Sequence, residues 1–241
     1  MNFSFSIIAV LFLFLAMSVS AHPWQESDQQ QNDVQRARMT ANRFVEKFQA
    51  TLDFGATFTE VGVSNPITGL RTAKFFKSIN IEDDLVKGLN DEELTRIYRA
   101  FMNLHFLNAL YYCGKPQQEV PSDIKLAINS SKFFSTLRDE GGVAPLITTK
   151  KELTEYVADM EKLAILYRKH LPPSLFNSAS YKQCVAASGR PNNHDVSVRD
   201  GFEDFGVSKG SKVYVITRGL FTMYIMEEKG EMRILAFGFG N

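Results

Sequence analysis

Tyr98, Phe101, His105, Asn108 and Tyr112 recur at helical spacing, so all five share one face of a helix. That face sets a titratable ring and an amide between aromatic walls, the lining of a small-ligand pocket. The same pattern suits core residues whose polar atoms bond to nearby backbone or to each other, and both readings stand at this level. The candidate ligand-binding set is therefore Tyr98, His105, Asn108 and Tyr112. A second polar cluster, Asn192-Asn193-His194-Asp195, follows Cys184. It has the groups for a Cys/His nucleophilic pair or a weak metal site, but its composition favours a solvated turn.

Cys113 and Cys184 are the two cysteines of the chain. In an oxidising compartment they are expected to form one disulfide, joining the end of a long helix to the connection beyond it. Closing so long a loop would contribute about 4 kcal/mol by loop-entropy arithmetic.

Recognisable catalytic signatures are sparse. No HExxH, GxxxxGK[ST] or GxGxxG occurs, and with four His and no CxxC a metal site would need scattered carboxylates. Gly206-Val-Ser-Lys-Gly210-Ser-Lys has the look of a phosphate cradle, yet it leads into a strand and reads better as a turn. Asn129-Ser-Ser131 is a formal glycosylation sequon. No catalytic residue, metal or cofactor is assigned. The expected class is a non-enzymatic binding or interaction module, with an unknown protein or small molecule as partner. The alternative is a small-molecule-binding protein or enzyme with its pocket along His105 and Asn108.

The elements that must position these residues follow from patterning. Ile7–Ala16 is an unbroken apolar run, too short to span a bilayer, and Val19 and Ala21 suit a small-residue cleavage site. Residues 1–21 are read as a signal peptide cleaved near Ala21, which makes the protein secreted or periplasmic. Residues 22–32 form a polar, Gln-rich tail, and 33–241 a single α+β domain. The 241 residues carry 27 Lys+Arg against 27 Asp+Glu, a balance that argues against nucleic acid as partner. No later stretch is apolar enough to span a membrane.

Within the domain, Asp33–Leu52 has one apolar stripe and reads as a surface helix. A helix-loop-helix unit then recurs. Lys74-Phe75-Phe76 returns as Lys132-Phe133-Phe134, and Glu93-Leu94-Thr95 returns as Glu152-Leu153-Thr154. Asn90 and Thr149 each precede their Glu by three, so both long helices should open with capping boxes. The units span about 66–116 and 121–173, with long helices near 91–112 and 150–170, the first stopped by Gly114. From 212 to 239 the period becomes two, and three strands read as an antiparallel β-meander. The fold class is α+β, a mainly helical bundle followed by the meander. Residues 43–55 (RFVEKFQATLDFG) and the closing strands resemble the small NTF2-like fold at the two ends only, and that resemblance implies no function here.

Overall fold

The computed structural model describes residues 28–60, 75–114, 120–139, 145–187, 196–202 and 206–238. The helices are α1 (Asp28–Thr51), α2 (Phe54–Glu60), α3 (Phe75–Ser78), α4 (Asp83–Lys87), α5 (Asp91–Gly114), α6 (Ser122–Ser130), α7 (Lys132–Asp139), α8 (Lys150–His170) and α9 (Ala179–Ala187). A 3-10 turn, Leu175–Asn177, leads into α9. The strands are β1 (Val196–Phe202), β2 (Val207–Arg218), β3 (Phe221–Glu228) and β4 (Glu231–Gly238). The signal peptide expected at residues 1–21 and the Asn192–Asp195 cluster lie outside the described residues. So does residue 22–27 of the tail. Its remainder, 28–32, is the first turn of α1.

Phenylalanine joins the layers. Phe44 and Phe48 of α1, Phe54 of α2, Phe106 of α5, Phe221 of β3 and Phe237 of β4 form one continuous cluster. Ring centroids lie 4.7 Å apart for Phe44–Phe237 and for Phe106–Phe221, tilted or edge-on as aromatic quadrupoles prefer. Helix α1 thus lies on the sheet, and α5 packs behind it. Arg36 fastens α1 to the β3–β4 hairpin, with Nη1 donating to Glu227 Oε2 at 2.8 Å and Nη2 to the Gly230 carbonyl at 2.6 Å.

Behind α5 lies α8. Arg96 reaches Glu161 through two nitrogens at 3.1 and 3.0 Å, and Lys150 reaches Glu93 at 3.2 Å. Both long helices are capped as their sequences require. Asn90 and Glu93 exchange side-chain and backbone bonds at 2.8 and 2.9 Å. Thr149 Oγ1 accepts from Glu152 N at 3.2 Å, while Glu152 reaches back to the Thr148 amide. The connections before the two helices also meet, Glu82 N donating to the Ile147 carbonyl and Ile147 N to that of Asn80. Among the described residues, the first of the two segments has a short helix, α4, between its aromatic pair and its long helix.

The sheet has four strands in the order β1-β2-β3-β4, not three. The additional strand, β1, exposes four of its seven residues and is interrupted by Gly201 at φ 75°, so its period-two signal is faint. Strand β2 starts at Val207 rather than 212. Gly210 at φ 95° and the irregular register between Asp200 and Phe202 let this hairpin bend. Phe202 pairs with Val207 whereas Tyr224 pairs with Val215, yet the two rings stack at 4.3 Å. The bent hairpin therefore folds over the outer face, where Phe202, Val207, Val213, Leu235 and Ala236 form a second small core. The β3–β4 turn, Lys229 at φ 54° and Gly230 at φ 83°, matches the twist of its strands as a type I′ turn does.

Candidate functional site

Helix α5 carries Tyr98, His105, Asn108 and Tyr112 along its length, about 21 Å from first to last by helical rise. They do not converge on one point. Tyr98 is 1% exposed, walled in by Phe54, Phe58 and Phe75. Burial raises its phenol above the usual range, offset in part by the backbone of Phe237, and its hydroxyl makes no full hydrogen bond. His105 is half-buried, stacked on Phe101 at 6.1 Å and edge-on to Phe106 at 5.9 Å. Asn108 is half-buried as well. Tyr112 belongs to a tyrosine group at the far end, beside Tyr111, which packs on Tyr167 at 5.5 Å. Burial raises the Tyr167 phenol, and the Tyr112 hydroxyl adds to the effect.

Cys113 and Cys184 are joined in a disulfide, with Cα atoms 5.4 Å apart and 71 positions apart in sequence. The bond ties α9 to the last turn of α5. Around α9 the molecule has a hollow of about 380 Å³, lined by Val45 and Gln49 of α1, Tyr181, Lys182 and Val185 of α9, and Arg218 and Gly219 at the β2–β3 turn. Gly219 takes φ 58°, and a Cβ there would lie 2.9 Å from the Tyr181 hydroxyl, so this turn needs glycine on two counts. Burial pushes the Tyr181 phenol up to about 12.

Arg218 is a cation on the wall of this hollow. Its Nε donates to Asn42 Oδ1 at 2.7 Å, while the buried Nη1 has no partner. Desolvation lowers its guanidinium below the ordinary value, and the like charge of Arg38 acts in the same direction. Sequence reading passed over this residue because it stands at the break between two strands and bears no motif.

Elsewhere, His170 Nε2 lies 2.9 Å from Asp123 Oδ1, and Lys169 lies 3.2 Å from Asp123 Oδ2. The His170 bond, more than that of Lys169, holds the Asp123 carboxyl at about 2. This group fastens the start of α6 to the end of α8. Gly206–Gly210 also spells G-x-S-x-G, but Ser208 is exposed within β2 rather than on a strand-to-helix elbow. Among the described residues, no cluster of three or more His, Cys, Asp or Glu is placed to hold a metal ion. No described helix is long and apolar enough to cross a membrane. No family model, curated protein or solved structure matches the chain.

Proposed function

We propose that the chain is exported through a cleaved signal peptide, residues 1–21, and works in a secreted or periplasmic location as a non-enzymatic binding module. One observation carries the binding reading. At the hollow beside Cys184, donors from three elements meet: Gln49 of α1, Tyr181 and Lys182 of α9, and Arg218 at the end of β2. A hydrolase would need a nucleophile next to a base, and the lining residues offer donors and apolar walls instead. The Cys113–Cys184 disulfide supports export, because such bonds persist in oxidising compartments. The segments at 66–116 and 121–173 are two copies of one helical unit on this reading, supported by their matching aromatic pairs and capped long helices.

The test is to recover the protein from its extracytoplasmic fraction. The expected N-terminus is His22, with no reactive thiol after unfolding without reductant and with any co-purifying small molecule released unchanged. An intact N-terminus with two free thiols would sink export, and consumption of that molecule on incubation would sink the non-enzymatic assignment.

The half-exposure of His105 and Asn108 favours a second reading, a ligand pocket along α5 with Tyr98 and Tyr112 at its ends. His105→Ala that leaves ligand binding unchanged removes it.

A further inference from the structure

A guanidinium seldom loses water without gaining an anion, since an unpaired buried charge is costly. Arg218 has lost part of its water, and its hydrogen bond goes to the neutral amide of Asn42. The charge acting on it is the like charge of Arg38. Lys182 stands exposed at the same hollow, the Tyr181 hydroxyl lies over Gly219, and Gln49 adds an amide. No carboxylate is among the lining residues. Val45 and Val185 supply apolar wall beside these donors. Two cations, a phenol and a small apolar wall match one kind of ligand: an anionic head that accepts several hydrogen bonds, carried on a short hydrocarbon body.

We infer that the hollow between α1, α9 and the β2–β3 turn binds a small organic carboxylate with an apolar chain. The head would pair with Arg218 and Lys182, and the chain would lie on Val45 and Val185. This rests on the binding-module reading above and gives it a ligand class. It also gives the disulfide a task. Tyr181, Lys182 and Val185 flank Cys184 within one helical turn, so the bond to Cys113 holds three of the seven lining residues in place.

The disulfide-intact chain is titrated by calorimetry with sodium octanoate, and in parallel with octan-1-ol and with inorganic phosphate. Octanoate is expected to bind, each companion about tenfold or more weakly, and added salt to weaken octanoate. Arg218→Gln should reduce octanoate affinity about tenfold or more, as loss of a charge-assisted pair does. Lys182→Gln, at an exposed position, should reduce it about threefold, and it decides the matter alone if Arg218→Gln does not fold. Octanoate that fails to bind, that binds no better than octan-1-ol or phosphate, or that ignores the foldable variants overturns the carboxylate site. If octanoate fails while native mass spectrometry of the wild-type chain retains another small molecule, only the carboxylate inference falls. If no molecule is retained either, the binding-module reading falls with it.

Discussion

Helix α5 and the hollow beside Cys184 both mix polar with apolar side chains, but they are assembled in opposite ways. The α5 set comes from one helix, so its members share a face yet are strung out along the axis, and Tyr98 is sealed among aromatic rings. The hollow takes residues from α1, α9 and a hairpin turn that are far apart in sequence and close in space. Periodicity finds faces. It does not find convergence, and a binding site needs convergence.

That contrast can be tested, beginning with the core. Phe106 is 2% exposed and touches rings from α1, α2, β3 and β4. Phe106→Ala should cost about 3–5 kcal/mol in denaturant unfolding. A loss well under 1 kcal/mol would show that the phenylalanine cluster is not what joins α5 to the sheet. The Cys113→Ser, Cys184→Ser double variant should lose about 2–4 kcal/mol, lowering Tm by about 4–16 °C. It should also weaken octanoate, because α9 is released; unchanged affinity would separate the hollow from the disulfide.

Gly219→Ala should cost about 1–2 kcal/mol, since it forces a side chain into left-handed backbone against the Tyr181 hydroxyl. Its octanoate affinity should fall as well, whereas His105→Ala should leave that affinity alone. The opposite pattern would move the site to α5. Thr149→Ala should cost about 1 kcal/mol as a lost cap. The gentlest effect concerns acid. Asp123 titrates at about 2 in the fold, below the ~3.9 of a free aspartate. Its contribution is therefore full above pH ~4 and is lost as pH falls toward 2. Asp123→Asn should flatten the acid limb of a Tm-against-pH curve in that window; an unchanged limb would mean that other carboxylates set it.

The long helices were legible because their signals are local. Asn90 with Glu93 and Thr149 with Glu152 announce helix starts, and α8 occupies Lys150–His170 as its caps and Pro172 require. The disulfide followed from the cysteine count and from the oxidising compartment that the apolar N-terminus led one to expect. Strand β1 was missed because alternation needs one covered face, and most of β1 faces solvent until Phe202. Arg218 was missed for a different reason: its significance lies in what fails to surround it, which only tertiary structure reveals. The convergence of Gln49, Lys182 and Arg218 has no counterpart in sequence spacing.

The staple from Arg36 to Glu227 and Gly230 joins residues 191 and 194 positions apart. Phe44 and Phe48 of α1 are likewise covered by Phe221 and Phe237. During synthesis, α1 emerges long before the strands that shield it. Helices α2 and α5 can meet its apolar stripe earlier, but the side that faces the sheet stays uncovered until the strands have left the ribosome, so this part of the core closes last. A chain built this way commits to its fold only late, after most of its length has been made.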